Sequence, residues 1–126
     1  MLSGARLTAF AASTNSERTR RFYQGTLGLR LEAEDGFALV FDANGTPLRI
    51  QKVQEVHPPP FTVLGWEVAG IETTVRELSA RGVPFERYSF LPQDALGIWT
   101  APGGTKVAWF KDPDGNLLSL AESAPA

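Results

Sequence analysis

The sequence predicts an α+β protein of two βαβββ units, and three observations carry that expectation. The order strand, helix, three strands can be read twice along the 126 residues. Each helical stripe is followed by a glycine, Gly28 and Gly82, placed to end a helix. Between the halves stands Val56-His57-Pro58-Pro59-Pro60, whose prolines cannot donate to a sheet and favour a stiff extended segment. The expectation is one domain spanning residues 1–126, with unit one at 6–53, a connector at 54–60 and unit two at 61–122.

In the first unit, residues 6–13 alternate weakly and are rich in small and apolar side chains, as suits a buried strand. Asn15 or Ser16 offers an N-cap oxygen, Glu17 sits in the first turn, and Phe22, Tyr23 and Leu27 form the apolar stripe of a helix. Strands follow at 29–32, 37–42 and 47–53, joined by the turn signals Glu34-Asp35-Gly36 and Ala43-Asn44-Gly45. In the second, residues 61–68 read as a strand, and Ile71, Val75 and Leu78 mark an amphipathic helix. Strands are expected at 83–88, 106–110 and 116–121, the last two joined by Asp112-Pro113-Asp114-Gly115. Residues 89–104 read as an irregular loop, the place where separate chemistry is most expected.

Composition closes off several classes of function. With 43% hydrophobic residues, a chain of this length buries roughly two-thirds of its unfolded surface and needs no disulfide or metal to fold. The absence of cysteine excludes disulfides, thiolate zinc sites, iron–sulfur clusters and cysteine nucleophiles. A single histidine excludes any one-chain site requiring two imidazoles. Twelve basic against 14 acidic residues give a net charge of −2, without the basic stripe of a nucleic-acid binder. Arg6, Arg18, Arg20, Arg21 and Arg30 gather early, but Glu17, Glu32 and Glu34 dilute them. No apolar run is long enough for a membrane span and no export signal is evident, so a cytoplasmic location is expected.

Two motifs suggest a family. Phe22-Tyr23-Gln24-Gly25-Thr26-Leu27-Gly28-Leu29 matches an F-Y-x-x-x-L-G-hydrophobic helix end, and Phe110-Lys111-Asp112-Pro113-Asp114-Gly115-Asn116-Leu117-Leu118 matches an F-x-D-P-D-G-N-hydrophobic hairpin. On paired βαβββ units, they resemble the vicinal oxygen chelate superfamily, which includes glyoxalase I, extradiol dioxygenases, and fosfomycin- and bleomycin-resistance proteins. The resemblance runs from about Leu7 to Glu122 and implies a curved mixed sheet around a cavity. The motifs themselves read as structural: Phe22 and Tyr23 pin the helix to its sheet, and Asp112 to Asn116 build a hairpin.

In metal-using members of that superfamily, the first and last strands of each unit carry His or Glu ligands. Carried over position by position, those four places fall on Thr8, Arg49, Val63 and Ser119. Valine has no donor atom, arginine repels a cation, and two neutral hydroxyls are poor ligands alone. No metal and no cofactor is therefore expected, and metal-dependent glyoxalase or dioxygenase activity is disfavoured. His57 reads as a surface or hinge residue of the connector. An all-oxygen site from Glu67, Asp94 or Asp112 is conceivable for Mg²⁺, but their spacing gives no argument for it.

Alternation within the implied fold turns Thr8, Phe10, Arg49 and Gln51 inward in the first unit, with Val63, Gly65, Glu67, Leu117, Ser119 and Ala121 in the second. Trp99 and Trp109 are candidate stacking surfaces, although most of the three Trp and eight Phe are expected to be packing. The candidate ligand-binding set is Thr8, Phe10, Arg49, Gln51, Glu67, Trp99, Trp109 and Ser119. Arg49 needs either an internal carboxylate, such as Glu67, or an anionic ligand. The expected function is metal-independent binding of a small planar or anionic molecule. The alternative is a lyase or isomerase of the same fold using Glu67 as base and Arg49 as anion stabiliser. A third reading is an accessory module whose cavity is filled by its own side chains. By resemblance to bleomycin-resistance proteins, a homodimer is implied.

Overall fold

The computed structural model describes residues 1–125, and the chain divides into two compact units, Met1–Pro58 and Pro59–Ala126. Unit one holds β1 (Ala9–Ser13), α1 (Ser16–Arg20), β2 (Arg30–Glu34), β3 (Ala38–Ala43) and β4 (Thr46–Lys52). Its sheet has the order β1-β4-β3-β2, with β1 parallel to β4 and the other pairs antiparallel. Asn15 caps α1, its Oδ1 accepting the Arg18 N–H at 3.0 Å. Ser13 and Thr19, both buried, pair their hydroxyls beneath that cap.

The helix expected to continue through Leu27 changes character. From Arg21 to Thr26 it widens into a π-helical turn, where the Leu27 N–H reaches back to the Phe22 carbonyl at 2.9 Å. Gly28, at φ +79°, ends it, and the Leu29 N–H then closes on the Tyr23 carbonyl at 2.9 Å. The Tyr23 ring, fully buried, lies 5.6 Å from the Phe41 ring. With Leu39, Phe41, Leu48 and Ile50 it forms the core of this unit. The β3–β4 turn is Asn44-Gly45, both at positive φ (51° and 93°), matching the right-handed twist of the strands it joins.

Unit two holds β5 (Leu64–Glu67), α2 (Ile71–Ala80), β6 (Trp99–Thr100), β7 (Lys106–Lys111) and β8 (Leu117–Glu122). Its sheet repeats the pattern, β5-β8-β7-β6, with β5 parallel to β8. Its core is Ile71, Val75, Leu78, Val83, Ile98, Ala108, Phe110, Leu118 and Leu120. The β7–β8 turn is held by Asp112, whose Oδ1 accepts the N–H groups of Asp114 and Asn116, both at 2.9 Å. Asp112 Oδ2 takes the Asn116 side-chain amide at 2.8 Å. The motif is therefore structural, as the sequence suggested.

One strand expectation fails. Residues 83–88 form only a single bridge, Phe85 opposite Phe110. Pro84 has no N–H to offer, and the Tyr88 N–H goes to Gln93 Oε1 at 2.8 Å. The place of a strand is taken by Trp99–Thr100, inside the segment read as loop. Beyond it that segment is ordered by Gln93, whose Nε2 donates to the carbonyls of Glu86 and Gly97. Strands β1 and β5 are also shorter than expected, leaving Leu7 (75%) and Phe61 (62%) exposed. Among the described residues no helix is long and apolar enough to cross a membrane.

Candidate functional site

In each unit the side chains of one sheet face pack under the helix, so alternation turns the others to the opposite, open face. In unit one, Leu48 and Ile50 of β4 are buried, and Arg49 and Gln51 between and beyond them face the other way. Strand pairing sets Phe10 beside Arg49 and Ala12 beside Gln51 on one flank. Val40 and Ala38 stand on the other. Thr8 lies two residues before Phe10, just ahead of β1, where strand pairing does not set its face. Strand register thus sets Phe10, Arg49 and Gln51 on one surface. Phe10 is 52% exposed, high for an aromatic on a sheet face.

Arg49 is half-buried, and among the described residues its guanidinium has no hydrogen-bond or ion-pair partner. Asp35 feels its field, but that carboxylate is held below the usual range chiefly by the N–H of Phe37 and then of Ala38.

In unit two the open face carries Gly65 and Glu67 on β5, Ser119 and Ala121 on β8, Val107 and Trp109 on β7, and Trp99 on β6. The rings of Trp99 and Trp109 lie 6.1 Å apart, inclined at 31°. Tyr88 meets Trp109 edge-on at 5.4 Å, and Phe90, 79% exposed, follows Tyr88 at 5.6 Å. Burial, and secondarily the charge of Glu86, pushes the Tyr88 phenol up, so it stays a neutral part of this aromatic wall. Tyr88 and Phe90 were not among the sequence-derived candidates. They sit on an irregular stretch where no periodicity reports the face.

Ser119 pairs laterally with Trp109 and Gly65. A Cβ at position 65 would come within 2.9 Å of Ser119 Oγ, so the glycine leaves room for that hydroxyl. Glu67 lies exposed at the edge, its Oε1 accepting the Ser123 hydroxyl at 2.6 Å.

The two units carry the four inferred ligand places at the same register. Arg49 pairs with Phe10, two residues beyond Thr8, and Ser119 pairs with Gly65, two residues beyond Val63. Those places do not fit a divalent cation: a threonine, an arginine, a valine and a serine bring no carboxylate or imidazole. The carboxylates considered instead are engaged elsewhere. Asp94 Oδ1 accepts the N–H groups of Leu96 and Ile98, Asp112 builds its hairpin, and Glu67 takes Ser123. Among the described residues no three His, Cys, Asp or Glu side chains gather into a metal-holding group. His57 is exposed on the connector, 3.5 Å from Glu55.

Comparison with known proteins places this architecture. Residues 8–120 match the model of the Glyoxalase/Bleomycin resistance protein/Dioxygenase superfamily. A solved member of that superfamily from Sphaerobacter thermophilus is 20% identical, with TM-score 0.75 over 98% of this chain and 100% of that one. A lactoylglutathione lyase from Agrobacterium tumefaciens is 16% identical, with TM-score 0.74 over 95% and 94%. A genomically encoded fosfomycin resistance protein from Listeria monocytogenes is 14% identical, with TM-score 0.76 over 98% and 96%. At these identities the likeness is one of fold. No match is found among curated proteins.

Proposed function

Because the chain belongs to the glyoxalase/bleomycin resistance protein/dioxygenase superfamily, we propose that it binds a small planar or anionic molecule without a metal ion. The observation that carries this reading is the make-up of the open faces. Where the fold has places for metal ligands, this chain brings Thr8, Arg49, Val63 and Ser119. Around Ser119 it brings Trp109, Trp99 and Tyr88. Aromatic walls with few polar groups are the usual lining of a small-molecule site. In this reading Trp99 and Trp109 of unit two stack on a planar ligand and Ser119 and Glu67 contact its polar edge, while Thr8, Phe10, Arg49 and Gln51 make up the candidate binding face of unit one.

The proton-transfer alternative would use Glu67 as base. That side chain is exposed and already bonded to Ser123, which favours binding over catalysis. A homodimer belongs to the same proposal, since Leu7, Phe10 and Phe37 leave apolar surface on unit one uncovered. Sedimentation of the purified chain tests it.

The binding proposal is tested by tryptophan emission during titration with a panel of planar heteroaromatic compounds, on protein analysed for metal. Saturable quenching without stoichiometric metal is expected. Trp99→Ala should weaken it by about 1 kcal/mol, the scale of one aromatic contact. Stoichiometric metal in the purified protein, or quenching by no compound of the panel, overturns the reading.

A further inference from the structure

We propose that the open face of unit one is an oxyanion site, with Arg49 as its anchor, for the carboxylate or phosphate group of a ligand. The inference rests on the small-molecule reading and assigns its charge-recognising part. It starts from sign. Arg49 occupies in unit one the register that Ser119 occupies in unit two, a place where the resemblance to metal-using members puts a His or Glu ligand. A guanidinium there turns the local charge from cation-seeking to anion-seeking.

The second observation is that nothing within the described residues satisfies this cation. Arginines elsewhere are engaged: Arg20 with Glu34, Arg30 with Glu32, Arg76 with Glu72, and Arg87 with the carbonyls of Asp94 and Ala95. Arg49 has no such partner. Asp35 feels the field of the guanidinium, Asp42 stands two residues beyond Val40, the β3 partner of Arg49, and both are occupied. Asp35 accepts two backbone N–H groups of its own turn. Asp42 accepts the Gly45 N–H at 2.8 Å and faces Arg30 at 3.8 Å.

The third is the setting. Arg49 is half-buried between Phe10 on one flanking strand and Val40 on the other, with alanines 12 and 38 flanking Gln51 beyond. Apolar neighbours weaken solvent screening, so a charge-assisted pair formed here is stronger than one on an open surface. The guanidinium fork matches a carboxylate or phosphate in two parallel hydrogen bonds. Gln51, two residues along the same strand, adds a neutral donor.

The experiment is an NMR titration of the full chain with inorganic phosphate and, separately, with benzoate. It follows the Arg49 Nε–H and the backbone amides of Phe10, Val40 and Gln51. Saturable shifts confined to this face are expected, and the better of the two probes identifies the group recognised. Arg49→Gln should weaken binding about tenfold or more, and Arg49→Lys, which keeps charge but not the fork, less so. Arg49 lies outside the unit's buried core, and thermal melts verify that Arg49→Gln is folded. Should it not be, Gln51→Ala supplies the second variant, with weakened binding expected. Absence of saturable shifts with both probes, or shifts indifferent to Arg49→Gln and Gln51→Ala in folded protein, overturns the anion site. Tryptophan quenching by a planar compound persisting in that case would leave the small-molecule reading intact.

Discussion

Asp112 shows how much one side chain can carry. Its two oxygens satisfy two backbone N–H groups and one side-chain amide within a buried turn. Asp112→Ala leaves these donors without acceptors and should lower stability by about 2–3 kcal/mol in urea unfolding. Asp35 does comparable work at an exposed turn, and its effect depends on pH. The unfolded chain binds the proton more tightly than the folded turn, so the Asp35 contribution is complete above about pH 4. It is lost as pH falls through the lower folded value. Asp35→Ala should therefore lower stability at neutral pH and flatten the acid limb of a stability–pH curve, the difference from the parent shrinking as pH falls. Gly97 and Gly45 share a φ of +93°, yet their surroundings differ. Alanine at 45 meets open space, whereas at 97 its Cβ would stand 3.2 Å from the Phe85 Cβ. Gly97→Ala should cost more than Gly45→Ala, by about 1 kcal/mol or more, in the same unfolding assay.

At the scale of elements, the hairpins and helix stops were legible because their signals are local. Asn44-Gly45 demands positive φ at both residues, and Asp112 to Asn116 bond within themselves. The periodic strands of unit one were legible for the same reason, as was the open-face placement of Arg49 and Gln51. What could not be read depends on distant partners. Residues 83–88 have strand-like composition, but a proline and a side-chain acceptor draw their backbone away from the ladder. Strand β6, Trp99–Thr100, is too short to carry a period. The π-helical turn, within which Tyr23 seats against Phe41, likewise has no local sequence signal. The start of α2 makes the point from the other side. Gly70 offers no capping side chain, and the Ile71 N–H is satisfied at 2.9 Å by Glu122 from β8. Glu122→Ala should cost about 1 kcal/mol, measurable as a lowered unfolding midpoint, though no local pattern announces the cap.

For the molecule as a whole, the repeated plan matters more than any one residue. Both units use the same strand order and the same register, and in both one sheet face packs under the helix while the other faces away from it. The donor set on those faces predicts that excess Zn²⁺ or Mn²⁺ leaves the melting temperature unchanged, since a cation stabilises only what it binds. A rise of several degrees would show a metal site that Thr8, Arg49, Val63 and Ser119 do not explain. The shared topology also has a consequence in time. Each unit pairs neighbouring strands through tight hairpins, β3 with β4 and β7 with β8. It pairs its first strand with its last only after the intervening chain has been drawn in. Closing a long loop is slower than closing a turn. The hairpins should therefore form early in refolding and β1 and β5 dock last, so a β1 or β5 peptide would be the first to take up deuterium when the native protein opens.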